Sequence, residues 1–411
     1  MKPTVLIATT SRWFPTARLA MALASAGCTV DAVCPARHPL RQMSAVRQTH
    51  PYRGLMPLRS FADAVAATKP VFILPGDDLA TGHLHRLYDE QRRCGEAGRS
   101  TCALIERSLG APESFPVVYA RTAFMNLACK AGIRAPRTGV LANLEDLRKW
   151  AAHTGFPTVL KANGTSGGDG VRVVRTLEEA EQAFRALQAP PLLARAVKRA
   201  LIDQDKTLVW SALRRQRHVV NAQEFVAGRE ATSAVAAWQG NVLASLHFEV
   251  INKRDAAGPS SVLRLIENAE MADAAEKMAR QLNLSGLHGF DFMLEADTGN
   301  AHLIEINPRA TQVGHLALGA GRDLPAALYC ALSGETLHAA PKVTESDLIT
   351  LFPQEWMRDP ASPFLTSGYH DVPWEEPALI RACVGRRWKP TLRHSRKDPA
   401  QSLSPVRVPR V

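Results

Sequence analysis

The residues best placed to do chemistry in this sequence form one run: Gly289-Phe290-Asp291-Phe292-Met293-Leu294-Glu295, a polar stretch Ala296–Asn300, then Ala301-His302-Leu303-Ile304-Glu305-Ile306-Asn307-Pro308-Arg309. Two strand-like segments around a Gly-containing turn predict a β-hairpin. With the turn centred on Thr298, Asp291 stands opposite Glu305, and side chains paired across an antiparallel ladder lie roughly 4.5–5.5 Å apart. Asn307, two residues beyond Glu305, shares that face and adds a carbonyl oxygen. Like charges so placed are destabilising unless something neutralises them. A hard divalent cation resolves the conflict, and an all-oxygen set without His or Cys favours Mg²⁺, with Mn²⁺ as substitute, over zinc. The bland alternative is a solvated face, on which a one-residue slip separates the two carboxylates.

Upstream, the apolar segment Pro157–Ala162 reads as a strand carrying a single lysine, Lys161. It runs into Asn163-Gly164-Thr165-Ser166-Gly167-Gly168-Asp169-Gly170 and then the strand Val171–Val174. Glycines at this density let backbone N–H groups close on phosphate oxygens. No Gly-Lys-Ser/Thr follows, so this is not a Walker loop. Between flap and hairpin, Gln223-Glu224-Phe225-Val226-Ala227-Gly228-Arg229-Glu230 reads as a strand entering a glycine turn that ends on a carboxylate.

The order strand-lysine-glycine flap, then Glu-Phe-Val-x-Gly-x-Glu, then Asp…Glu-x-Asn-Pro-Arg resembles the ATP-grasp superfamily over about residues 118–321. The resemblance covers its carboxylate–amine ligase, biotin carboxylase-like and carbamoyl-phosphate synthetase-like branches. It implies ATP and Mg²⁺ as cofactors, with Arg121 in the place of a phosphate-contacting base, although the Asp that usually precedes it is Ala120 here. Lys161 would contact the phosphates, and Gly164, Ser166, Gly167 and Gly168 would close over them. Backbone groups of Glu224, Phe225 and Val226 would meet the adenine edge, and Glu230 the ribose. Gln223 stands where an acid is common. Asp291, Glu305 and Asn307 would hold the metal, and Arg309 and Lys161 are the implied catalytic groups. The reaction implied is attack of a small-molecule carboxylate on the γ-phosphate, followed by capture of the acyl-phosphate by an amine. Bicarbonate activation and a non-catalytic ATP-binding module are the competing readings. Lys253 and Arg254 are further phosphate candidates; His288, His302 and His315 receive no role.

These residues need a scaffold. Thr4–Ala8, Thr16–Ala26 and Thr29–Val33 read as strand, helix and strand, and a second unit follows at Phe61–Arg92, which together predict a parallel α/β sheet. The loop Thr9-Thr10-Ser11-Arg12 lacks the dinucleotide fingerprint. The Asp77-Asp78 pair fits a helix cap. The fold class expected is α/β (α+β): an N-terminal parallel domain over 1–117, then a two-lobed ATP-grasp domain with antiparallel sheets over 118–335, its lobes dividing near residue 190. A packing extension over 336–380 and a basic tail over 381–411 complete the chain.

Composition limits the partners. The chain has 411 residues and a net charge of +11, but nine Lys/Arg against Asp398 alone lie in residues 381–411. The basic excess therefore belongs to a Pro- and Ser-rich tail, and nucleic-acid binding is not expected. Seven scattered cysteines without a CxxC pair suggest neither a disulfide framework nor a zinc site. No stretch approaches the ~20 apolar residues of a membrane span. A cytoplasmic protein acting on small carboxylates and amines is expected, with no membrane partner and with a homodimer compatible.

Overall fold

The computed structural model describes residues 2–163, 170–189, 218–255, 258–336 and 341–384. Its N-terminal sheet uses β1 (Thr4–Ala8), β2 (Thr29–Cys34), β3 (Gln48–Pro51) and β4 (Phe72–Pro75), all parallel, in the order β3-β2-β1-β4. Val5-Leu6-Ile7 is buried on both faces, as a strand covered by helices on each side requires. The covering helices are α1 (Pro15–Ser25), α2 (Pro57–Thr68), α3 (Asp78–Arg93) and α4 (Arg99–Leu109). Pro57 at the first position of α2 starts that helix four residues before the expected Phe61, since proline's fixed φ suits a first helical turn.

Two short helices, α5 (Phe115–Tyr119) and α6 (Arg121–Lys130), lead to a small antiparallel sheet. Its strands are β5 (Thr138–Leu141), β6 (Thr158–Ala162), β7 (Val171–Val174) and β8 (Val220–Glu224), ordered β5-β8-β6-β7. Helices α7 (Leu144–Thr154) and α8 (Leu177–Gln188) cover one face, burying Leu141, Leu160, Ala162, Val174, Val220 and Ala222. The first lobe thus includes β8, and the crossing lies at residues 225–227, not near residue 190. The physical reason is pairing: β8 fills the position between β5 and β6, where a sheet of this width would otherwise carry an internal open edge.

The second lobe is a seven-stranded sheet in the order β13-β12-β9-β10-β11-β14-β15. Its strands are β9 (Gly228–Trp238), β10 (Asn241–Lys253), β11 (Ser260–Leu265), β12 (Gly286–Glu295), β13 (Ala301–Asn307), β14 (Leu348–Leu351) and β15 (Tyr369–Asp371). Helix α9 (Ala269–Gln281) lays Met271, Ala274, Ala275, Met278 and Ala279 on one face, at the i, i+3, i+4 spacing of an amphipathic helix. The other face is shared. Ala236, Leu246 and Phe248 pack in one core with Leu19, Leu23 and Val30 of the N-terminal domain and Leu324 and Leu328 of α10 (Leu324–Ser333). The segment beyond residue 335 does more than pack: β14 pairs with β11 and β15 with β14, extending this sheet.

Candidate active site

The hairpin β12–β13 carries the opposed carboxylates. Asp291 pairs with Glu305, as the alternation implies, but the register changes beside them, because Phe292 pairs with Leu303. Ile304 is therefore an extra residue, a bulge of the two-against-one kind. The turn centres between Asp297 and Thr298, and the bulge is what restores Glu305 to the place opposite Asp291. Across the other edge, Asp291 pairs with Thr232 of β9, whose hydroxyl donates to it at 2.8 Å. Asn307 Nδ2 donates to the other Asp291 oxygen at 2.9 Å.

Both carboxylates are half-buried, and their surroundings push them apart. Burial, and then Glu305, raise the Asp291 carboxyl above the usual aspartate range, with the Thr232 and Asn307 hydrogen bonds opposing. For Glu305 burial also acts upward, but Arg121 and Lys161 outweigh it and leave the group below the usual glutamate range. Arg121, at the start of α6, brings a guanidinium nitrogen to 2.6 Å from Glu305 Oε2. Lys161 comes from β6 on the opposite sheet; burial depresses its pKa to about 8, against the attraction of Glu305. Arg309, just past β13, donates through Nε to Asp78 at 3.1 Å and through a terminal nitrogen to Asn307 Oδ1 at 3.2 Å. Asn307 thus gives its carbonyl to Arg309 and its amide protons to Asp291, so as placed its oxygen does not face the carboxylate pair.

The small sheet presents Lys161, Val159, Val173, Val140 and Asn221 on one face, by the pairing of Lys161 with Asn221 and of Val159 with Val173 and with Gln223. Val140 and Val173 are exposed apolar residues there. Gln223, buried on the same face, donates to Thr138 Oγ1 at 3.0 Å and approaches the carbonyl of the bulge residue Ile304 at 3.5 Å. An acid at this position would repel that carbonyl, which accounts for an amide here. Glu224 belongs to the other face. Its N–H donates to the carbonyl of Arg137 at 3.0 Å, and its carboxylate bonds the N–H and guanidinium of Arg137. Its N–H is therefore not available to an adenine edge, and the expected backbone contact there would fall to its carbonyl and to Phe225 and Val226 of the crossing segment. Glu230, on the same face of the large sheet as Asp291, pairs with Lys253 at 2.7 Å. Gly164, Ser166, Gly167 and Gly168 lie outside the described residues.

The remaining sequence candidates separate. Arg254 pairs with its neighbour Asp255 at 3.2 Å. His288 bonds the carbonyl of Ser285 at 2.8 Å, and burial keeps it neutral, its pKa lowered to about 4. His302 lies 3.8 Å from Glu295, and His315 2.7 Å from Asp371. Asp77 caps α3 as expected, accepting from Ala80 N–H at 2.9 Å. Sequence reading passed over Thr232, the valines of the small sheet and the reach of Asp78 to Arg309. The first two follow from strand register; the last has no local signal at all.

Residues 120–324 match the family described as carbamoyl-phosphate synthase L chain, ATP binding domain. The carbamoyl phosphate synthase large chain of Mesorhizobium japonicum is 24% identical over 239 residues, covering 56% of this chain and 20% of that protein. The acetyl-CoA carboxylase of Dictyostelium discoideum is 24% identical over 203 residues, 49% of this chain and 8% of that protein. The chain thus spans about a fifth or less of these relatives. Among solved structures, the biotin carboxylase domain of Hydrogenobacter thermophilus 2-oxoglutarate carboxylase, in complex with MgADP, ADP and bicarbonate, aligns with a TM-score of 0.57 at 17% identity, covering 82% of this chain and 71% of that one. N5-carboxyaminoimidazole synthetase of Staphylococcus aureus, complexed with ADP, gives 0.57 at 13% identity, covering 82% and 79%. The small antiparallel sheet and the mainly antiparallel large one, the order of the motifs and these likenesses agree, and residues 120–324 form an ATP-binding domain of the ATP-grasp superfamily.

Proposed function

We propose that the chain is an ADP-forming ligase: with Mg²⁺-ATP it activates a small-molecule carboxylate as an acyl-phosphate and joins it to an amine or similar nucleophile. The observation that carries this is the convergence of three cations, Arg121, Lys161 and Arg309, on one half-buried pair of carboxylates. Phosphoryl transfer needs positioning and charge neutralisation more than covalent chemistry from the protein. Arg121 and Lys161 neutralise phosphate charge, Phe225 and Val226 offer backbone to the adenine edge, and Glu230 meets the ribose. Arg309 stabilises the transferred phosphoryl group or the substrate carboxylate.

The donor set fits a divalent cation. Asp291 is raised first by burial and then by a like charge that a metal would balance, and the ligands are hard oxygens. Among the described residues no group of three or more His, Cys, Asp or Glu offers a metal site, so Asp291 and Glu305 would hold the ion with Asn307 as third ligand once its amide turns from Arg309. When bound, the metal neutralises charge on the phosphates. The relatives crystallised with MgADP and with ADP support the nucleotide. Bicarbonate, named in one of those complexes, is the second reading for the activated carboxylate. A cytoplasmic location is part of the proposal, and a homodimer is compatible with it. Among the described residues no helix is long and apolar enough to cross a membrane.

The test is ADP release with Mg²⁺-ATP across amino acids, small carboxylates and bicarbonate, beside Glu305→Ala. Release that requires one carboxylate and one amine, and is lost in the variant, supports the ligase. Release with bicarbonate alone favours the second reading, tight ATP binding without turnover favours a non-catalytic module, and absence of ATP binding overturns the proposal.

A further inference from the structure

We infer that Asp78, on the N-terminal domain, is a positioning residue for Arg309, so that this domain enters the reaction site by fixing one guanidinium. The inference rests on the ligase reading above for its kinetic arm. The tripeptide Pro308-Arg309-Ala310 leaves β13 and is held at three points by a single turn of the N-terminal domain. Ala310 N–H donates to the Pro75 carbonyl at 3.2 Å, Thr81 Oγ1 donates to the Pro308 carbonyl at 2.8 Å, and Arg309 Nε donates to Asp78 Oδ1 at 3.1 Å. The other two guanidinium nitrogens reach neutral oxygens, the Ala310 carbonyl and Asn307 Oδ1, both at 3.2 Å. Asp78 is thus the carboxylate bonded to this guanidinium, and a charged acceptor makes the stronger and more directional bond.

The two adjacent aspartates divide the work. Asp77 is consumed inside its own domain, where it accepts from Thr9 Oγ1 at 2.7 Å, Thr10 N–H at 2.7 Å, Thr10 Oγ1 at 2.8 Å and the cap N–H of Ala80. That ties the loop after β1 to the start of α3 and makes the turn rigid. Asp78, one residue on, has its carbonyl held by Tyr119 Oη at 2.7 Å, so its backbone is anchored to α5 while its carboxylate faces the other domain. Arg309 has a long side chain with several free torsions, and the rigid turn removes that freedom where the same residue also orders Asn307. The ion pair is neither open to bulk solvent nor sealed: its side chains are 17% and 33% exposed, as suits a group that flanks a substrate cleft.

The experiment compares Asp78→Ala, Asp78→Asn and Asp78→Glu in the full chain, with thermal melting as the check on folding. The expected result is a kcat of ADP release lowered roughly 10- to 100-fold in Asp78→Ala, with the KM for ATP unchanged, an intermediate Asp78→Asn and a partial recovery in Asp78→Glu. The second measurement is the Arg309 Nε–H resonance, assigned by its disappearance in Arg309→Lys. It should shift or broaden in Asp78→Ala. An unchanged kcat overturns the inference, and so does a rise in the nucleophile's KM alone, which would make Asp78 a substrate ligand. If the wild type turns over no substrate, the ligase reading fails and the resonance decides alone: unchanged in Asp78→Ala overturns the positioning role, altered supports it. Should Asp78→Ala not fold, Asp78→Asn carries both measurements.

Discussion

Replacing Lys161 with Met removes a buried ammonium and keeps an unbranched side chain. Lys161 lies on β6 with its pKa held at about 8, below the ordinary 10.5, by burial, even though Glu305 pulls the other way. At roughly 1.4 kcal/mol per unit, that depression corresponds to about 3 kcal/mol of lost folding free energy at neutral pH. Lys161→Met should therefore raise the stability of the free protein by up to about 3 kcal/mol, less whatever Glu305 loses when Lys161 no longer supports Arg121 in balancing it. A second signature is independent of that correction. Between the folded value and the unfolded one the native protein binds fewer protons than the unfolded chain, so wild-type stability rises with pH across this window, by at most about 1.4 kcal/mol per unit. Below the folded value both states are protonated and the slope from this lysine vanishes. The Met variant lacks the rise. Urea unfolding of both proteins from neutral pH to about pH 10 measures it, and ATP titration alongside should show affinity weakened roughly 10- to 100-fold, as loss of a charged hydrogen bond implies. A variant less stable than wild type at neutral pH, or the same pH slope in both, would refute the reasoning.

Three further substitutions probe other parts of the structure. Glu305→Gln removes the charge that holds Arg121 at 2.6 Å and balances Lys161; Mg²⁺-dependent thermal stabilisation should disappear, and ADP release should fall by two orders of magnitude or about 3 kcal/mol. Gly228→Ala places a Cβ 2.0 Å from the carbonyl oxygen of Leu294, so β9 and β12 must separate, and chemical denaturation should show a loss of about 1–3 kcal/mol. Asp371→Asn strips the charge from a carboxylate buried between Arg18 and His315 and should cost about 3–5 kcal/mol, since the Arg18 cation stays buried. Burial acts to raise Asp371, but His315 and Arg18 hold it below the ordinary aspartate value. Its contribution is therefore complete above that value and is lost as pH falls through the lowered one. A pH scan of unfolding should accordingly show a steeper acid limb in wild type than in the Asn variant.

The sequence exposed the chemistry where it is dictated by local period, and failed where partners are distant. Glu305 and Asn307 share a face because β-strands alternate, the bulge at Ile304 sets that face opposite Asp291, and opposed carboxylates are costly unless something balances them. The glycine of Glu-Phe-Val-x-Gly-x-Glu was legible as a motif, but its cause was not: Gly228 sits where any Cβ would strike the Leu294 carbonyl across the sheet. Nothing in the local pattern of residues 348–371 marks them as the outer strands of a sheet begun at residue 228, because strand order is set by long-range pairing. The same holds for Asp78 and Arg309, 231 positions apart.

The carboxylate pair was reached by a route that the structure alters in one respect. A regular hairpin about the observed centre would put Ile304 opposite Asp291 and turn Glu305 to the face that packs on α9. Glu305 would then be buried among Met and Ala side chains, away from Arg121 and Lys161. One extra residue in β13 prevents this, and Gln223 reaches from the other lobe toward the carbonyl of that residue. An acid at residue 223 would set a carboxylate against that oxygen and against Glu305 beyond it. The amide at 223 instead donates toward that oxygen, while the bulge keeps the opposed carboxylates of this hairpin turned toward the cations that balance them.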